Sequence, residues 1–152
     1  LKEKQKARFT YGVLEHQFRK YFEKAQKSPG TTGEVLLQFL ERRLDNVVFR
    51  LDIAESRAQA RQLVSHGHIT VGGCKVSIPS YQVKLGETIG WKESSQGREF
   101  SKALAASMPR KSVPAWLSID TTDLVGRINH LPQPDEIDNT IDTRMIVEYY
   151  SK

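Results

Sequence analysis

Cysteine is almost missing from this chain: Cys74 is the single one in 152 residues. That excludes an internal disulfide and fits a reducing compartment. The four histidines are scattered and give no zinc-site spacing. No apolar run approaches the roughly 20 residues needed to span a membrane. The opening residues, Leu1-Lys2-Glu3-Lys4-Gln5-Lys6, have no apolar stretch of the signal-peptide kind behind them. Internal repeats and low-complexity tracts are absent as well. The chain starts at Leu1 and not Met, so a preceding N-terminal piece is expected. A composition of 38% hydrophobic and 27% charged residues describes a folded chain with a polar bias, sized for one or two small domains.

Positive charge is abundant and unevenly placed. The net charge is +5. Residues 114–152 hold three bases (Arg127, Arg144 and Lys152) against seven acids, so this tail carries −4 and residues 1–113 carry +9. A basic body attracts a polyanion, and an acidic tail is expected to face something else.

Periodicity predicts a helix over 13–27, with Leu14, Phe18, Tyr21, Phe22 and Ala25 on one face. Ser28-Pro29-Gly30 ends it. Thr31 with Glu34 forms a capping-box pattern for a second helix, whose buried stripe is Leu36, Leu37, Leu40 and Leu44. Ser56 with Gln59 opens a third helix that stops at Gly67. Strands are predicted at 68–71 and 75–78, joined by a tight Gly72-Gly73 turn, then around Val83 and at 88–91. A helix over 99–108, a basic linker from Pro109 to Pro114, strands at 116–120 and 124–128, and a helix over 139–150 complete the reading.

The third helix carries the most informative pattern. At ~100° per residue, Ala60, Leu63, Val64 and Gly67 share one arc. Arg57, Arg61 and Ser65 share the neighbouring arc, with His68 just beyond. One side can dock on a sheet while the next offers guanidinium forks, which suit phosphate because they make paired hydrogen bonds. The bland alternative is a solvated charged face.

Arg43-Leu44-Asp45, then Ser56-Arg57-x-x-Ala60-Arg61-Gln62-Leu63-Val64-x-x-Gly67-x-Ile69-x-Val71, then Pro79-Ser80, resembles the small RNA-binding domain named after small-subunit ribosomal protein four. One departure is Gly72, where the family usually carries Asn. The flanks resemble the bacterial ribosomal protein four family itself. They include Glu3-Lys4-Gln5-Lys6-x-Arg8-x-x-Tyr11-Gly12, Thr32-Gly33, Arg43 to Val48, and the terminal Ile146-Val147-Glu148-Tyr149-Tyr150-Ser151-Lys152. That resemblance implies an α+β fold: a helical domain with an inserted helix-pair-on-sheet RNA-binding domain. The expected boundaries are 1–41 for the first helical part, 42–102 for the RNA-binding domain, and 103–152 for a segment completing the helical domain. It also implies that roughly fifty N-terminal residues are missing, on the usual size of a domain. In some family members that part holds a cysteine zinc site.

The implied function is primary binding of small-subunit ribosomal RNA, nucleating subunit assembly and supporting translational accuracy, in a bacterial or organellar ribosome. The candidate RNA-binding residues are Lys4, Lys6, Arg8, Tyr11, Arg19, Lys20, Arg42, Arg43, Arg57, Arg61, Gln62, Ser65, His66, His68 and Lys75. Asp142, Arg144, Glu148, Tyr149 and Tyr150 are the candidate protein interface, with small-subunit ribosomal protein five as the implied neighbour. No homo-oligomer and no membrane contact are expected.

Catalysis, metal and cofactor are not expected. His66 and His68 lack a third and fourth ligand at metal spacing. Ser65 and His66 diverge by roughly 100° and have no acid to orient the imidazole. Asp120, Asp123, Asp135, Glu136, Asp138 and Asp142 fall in turns and at a helix start, where acids serve as caps. Two rivals stay open: another RNA factor or modification-enzyme fragment with the same domain, and a protein–protein adaptor with an incidental basic face.

Overall fold

The structure, a computed structural model, describes residues 1–109, 111–137 and 140–151. Arg110 of the linker, Asp138 of the acidic group, Lys152, and the start of the expected last helix at 139 lie outside the described residues. The helices are α1 (Lys2–Tyr11), α2 (Glu15–Lys27), α3 (Thr32–Glu41), α4 (Leu44–Arg50), α5 (Arg57–Ser65), α6 (Glu93–Gln96), α7 (Glu99–Ala106) and α8 (Thr143–Tyr150). The strands are β1 (Ile69–Val71), β2 (Cys74–Lys75), β3 (Thr88–Trp91), β4 (Leu117–Asp120) and β5 (Val125–Ile128). No helix among the described residues is long and apolar enough to cross a membrane. The fold is mixed α+β.

Two compact units divide the chain: residues 1–41 with 132–152, and residues 42–131. In the first, α8 packs on α1 and α3. Phe18, Phe22, Leu36, Leu40, Ile141 and Ile146 meet in its core. Lys6 Nζ donates to the Thr140 carbonyl at 2.9 Å, and the Asp142 backbone N–H donates to Glu3 Oε2 at 2.9 Å. Leu14 leaves the buried face expected for it and is 74% exposed. The cause is local: it is the extended residue preceding α2, so its side chain does not follow the helical phase.

In the second unit the sheet runs β2-β1-β3-β5-β4, antiparallel throughout. Leu44, Val47, Val48 and Leu51 around α4, and Ala60, Leu63 and Val64 of α5, pack with Ile69, Ile89 and Trp91 of the sheet. Gly72 and Gly73, at φ of 59° and 84°, turn the chain between β1 and β2. Both conformations lie in the left-handed region, which glycine enters without a Cβ clash, as a two-residue hairpin requires. The first hairpin is shorter than expected, since 76–78 lies outside β2 and Ile78 is 60% exposed. Val83 lies outside the strands as well, next to an isolated bridge between Arg43 and Gln82.

The boundary expected at 102 moves to 131. Strand β5 pairs with β3, placing Thr88 opposite Arg127 and Ile89 opposite Gly126. That pairing, with Trp116, Leu117 and Ile128 buried in the same core, ties residues 103–131 to this unit and not to the helical one.

Gly126 is set by a close approach: a Cβ there would lie 2.4 Å from Leu51 Cδ1 and 2.7 Å from Cδ2. Leu51 is fully buried, so it has little room to yield. The Gly126→Ala variant is expected to lose about 1–3 kcal/mol through overpacking. Its urea midpoint should fall with the slope unchanged; an unaltered midpoint would show that the α4 end repacks without cost.

Candidate nucleic-acid interface

The basic face of the 42–131 unit is built around a buried acid. Asp45 is 1% exposed. The Arg43 fork grips it, Nε to Oδ1 and Nη2 to Oδ2, both at 3.1 Å. The Asn46 backbone N–H donates to Oδ1 at 2.7 Å. From α5, Arg61 Nε reaches Oδ2 at 3.4 Å while the rest of its side chain stays 41% exposed. Helix α5 is aimed by its cap, in which Ser56 Oγ accepts the Gln59 N–H at 3.1 Å.

One turn before Arg61, Arg57 donates to Asn46 Oδ1 at 2.9 Å. Its guanidinium lies 4.6 Å from the Phe49 ring centroid. Lys111 Nζ approaches the same ring at 3.2 Å, and Arg50 at 6.0 Å. Several cations therefore gather on one half-buried aromatic ring, an arrangement that favours a polyanion. The sequence reading did not single out Phe49, Arg50 or Lys111. The signal for Lys111 was the basic Pro109–Pro114 linker; Phe49 gave none, because a lone aromatic at a helix end usually belongs to the core.

The other candidates of this unit divide. Gln62, Ser65, His66 and Lys75 are exposed. Arg42 is half-buried and donates to the Val83 carbonyl through Nε at 3.0 Å and Nη2 at 2.9 Å. Burial lowers its pKa, with Glu87 acting the other way. Arg43 is corrected: at 3% exposure, committed to Asp45, it positions the site and does not face solvent.

His68 Nδ1 lies 2.8 Å from Ser95 Oγ. Partial burial first, then Arg98, His66 and Lys92, hold its imidazole below the ordinary value. A base whose folded pKa is depressed binds fewer protons folded than unfolded, so its neutral form stabilises the fold. That stability is full above the unfolded pKa, near ~6.5, and declines as the pH falls through it towards the folded value. Lowering the pH from 7 to 5 is expected to reduce stability less in His68→Gln than in the parent, measured by urea unfolding at each pH. Parallel pH profiles would refute the assignment.

In the helical unit several candidates turn inward. Lys4 is 3% exposed, pairs with Glu15, and sits 5.0 Å and 5.6 Å from the Tyr149 and Tyr150 rings. Tyr11 is buried, and its hydroxyl donates to Glu41 Oε2 at 2.6 Å. Both are corrections: helix α1 is covered on the face they occupy, so each serves the core. Arg8 is largely covered, donating to Gln5 Oε1 at 2.8 Å and lying 3.5 Å from Glu15. Lys6 stays exposed while holding Thr140. Arg19 and Lys20 remain outward on α2, with Arg19 3.6 Å from Glu23.

The expected protein interface is likewise partly absorbed. Asp142 Oδ1 accepts the Arg144 N–H at 3.1 Å and so caps α8. Tyr150 stacks on Phe22 at 4.3 Å, and burial, followed by Glu15 and Tyr149, pushes its phenol up to about 12. Tyr149 meets Tyr150 edge-on. Arg144 and Glu148 remain exposed. Among the described residues no group of His, Cys, Asp or Glu could hold a metal ion.

Residues 1–41 match the ribosomal protein S4/S9 N-terminal domain, and residues 42–89 match the S4 domain. The small ribosomal subunit protein uS4A of Symbiobacterium thermophilum is 56% identical over 152 residues, covering all of this chain and 73% of that protein. The small ribosomal subunit proteins uS4 of Roseiflexus sp. and Parabacteroides distasonis are 53% and 54% identical, each match covering all of this chain and 75% of the relative. The chain belongs to the uS4 family. Its S4-domain match takes in α4, α5 and the first hairpin, and with them the whole Asp45 cluster. The uS4 N-terminal match takes in α1 to α3. The β4–β5 hairpin lies beyond both matched spans, yet it completes the sheet that carries the S4 domain.

Proposed function

We propose that this uS4 chain binds the small-subunit ribosomal RNA through two basic surfaces. Family membership makes it a structural, non-enzymatic protein of the small ribosomal subunit. The observation carrying the RNA reading is the outward row on α5, Arg57 and Arg61, held in place from behind by Asn46 and Asp45. Guanidinium forks at fixed positions neutralise phosphates and release counterions. A-form RNA hides its major-groove edges, so a folded junction is recognised by backbone and shape. Gln62, Ser65, His66, His68 and Lys75 extend this surface. Arg19, Lys20 and Lys6 supply the second one, on the helical domain into which the RNA-binding domain is inserted.

The same reading gives the protein a role in nucleating subunit assembly and in translational accuracy, in a bacterial cytoplasmic or organellar ribosome. Arg144 and Glu148, with the outer edge of Tyr149, form the face offered to small-subunit ribosomal protein five. No self-association is expected.

The test is a salt titration of binding to small-subunit ribosomal RNA. About five phosphate contacts predict a log–log slope near −4. A fragment of residues 42–131 should bind with a shallower slope and clearly lower affinity than the whole chain. A slope near zero for the whole chain favours the adaptor reading. Equal affinity for chain and fragment reduces the helical unit to a scaffold.

A further inference from the structure

Helix α5 has a second outward row that the phosphate row does not use. At ~100° per residue, Gln59, Gln62 and His66 follow one another on the arc next to Arg57, Arg61 and Ser65. They border a cavity of about 490 Å³ between α5 and α7, closed on the other side by Ala103, Leu104 and Ser107. Its floor is apolar: Leu63 is 6% and Leu104 7% exposed. Gln62 and His66 are exposed at the rim, and the His66 and His68 rings stand 6.4 Å apart at 59° to one another.

We propose that this α5–α7 cavity takes one unpaired nucleobase of the bound RNA, with the phosphates on either side of it resting on the arginine row. The inference rests on the ribosomal-RNA reading above and deepens it, by adding a base-reading element to a surface otherwise built for backbone. Three observations carry it. The volume lies in the ~300–1,000 Å³ range of preformed pockets for small organic groups. An apolar floor with carboxamide and imidazole at its edge matches a flat heterocycle that needs faces covered and edges hydrogen-bonded. Positive charge reaches the cavity edge, where Arg98 and Lys92 act on His68, while Glu55 is the one carboxylate among the described lining residues. That field favours a nucleotide over an acidic or purely apolar peptide segment. His66, exposed at the rim, offers a ring face.

The experiment compares base-specific chemical probing with backbone footprinting on small-subunit ribosomal RNA, using the whole chain and an Ala103→Trp variant that fills the cavity from its exposed rim. A Gln62→Ala/His66→Ala variant, altered only at exposed positions, is a second route that does not depend on packing. The parent should shield one base, or a short unpaired group, from base-directed reagents. Ala103→Trp should restore the reactivity of those bases and weaken binding about tenfold, with the backbone footprint along the arginine row retained. The double variant should restore it in part. Identical base protections in all three proteins would overturn the proposal. So would an Ala103→Trp protein that binds naked RNA like the parent but fails to join small subunits, since the occupant would then be a protein segment. A parent that leaves no backbone footprint at all removes the ribosomal-RNA reading itself, a result distinct from loss of the base protection alone.

Discussion

Replacing Arg57 and Arg61 together by Ala is expected to weaken binding to small-subunit ribosomal RNA by about 2–6 kcal/mol, on ~1–3 kcal/mol for each charge-assisted phosphate contact. The salt slope should fall by about 2. Folding should survive, because Asp45 keeps the Arg43 fork and the Asn46 amide when Arg61 is gone. Lysine at both positions retains charge and loses the fork, so it should recover part of the affinity and most of the slope. Filter binding across a salt series, with circular dichroism as the folding control, reads all of this. An affinity equal to the parent's would remove the α5 row from the interface.

The Asp45→Ala variant is expected to have the largest effect on stability, about 3–5 kcal/mol, because it strips a buried guanidinium of its carboxylate. Nearly all of that belongs to Arg43, which is as buried as its partner. Arg61 is 41% exposed and 3.4 Å away, so solvent screening makes its share small. Asp45→Asn keeps the shape and an acceptor but not the charge, and should fall between. Urea unfolding supplies the numbers. A loss below about 1 kcal/mol would mean that water reaches Arg43 when the acid is removed.

Local signals in the sequence were reliable where the physics is local. Ser56 and Gln59 announced the start of α5, and the observed cap is that pair. Gly72-Gly73 announced a tight turn, and both residues adopt positive φ. The arcs of α5 sort Ala60, Leu63 and Val64 inward, as observed, and leave Arg57 and Arg61 half-exposed beside them. What stayed hidden depends on partners distant in sequence. Lys4 reads as surface charge until Glu15 and the tyrosines of α8 are brought around it. Arg43 reads as one more guanidinium until Asp45 is seen to be buried. The β4–β5 hairpin was recognised as a pair of strands, but its attachment to β3 is a non-local pairing that alternation along the chain does not encode. That is why the sequence alone groups residues 103–131 with the helical part.

The make-up of the helical unit bears on the order in which the protein matures during its own synthesis. Its bonds from Lys6 to Thr140 and from Asp142 to Glu3 join residues 134 and 139 positions apart. Helices α1 to α3 are therefore made long before α8, which packs on α1 and α3 and stacks Tyr150 on Phe22 of α2. The 42–131 unit, contiguous in sequence, can close while its neighbour is still incomplete. Until Ile137, Ile141 and Ile146 are made, Phe18, Phe22 and Leu36 lack these core partners, and the nascent chain carries an apolar surface that invites chaperone capture or self-association. The synthesis of α8, more than the intrinsic speed of helix formation, becomes the event that completes this unit.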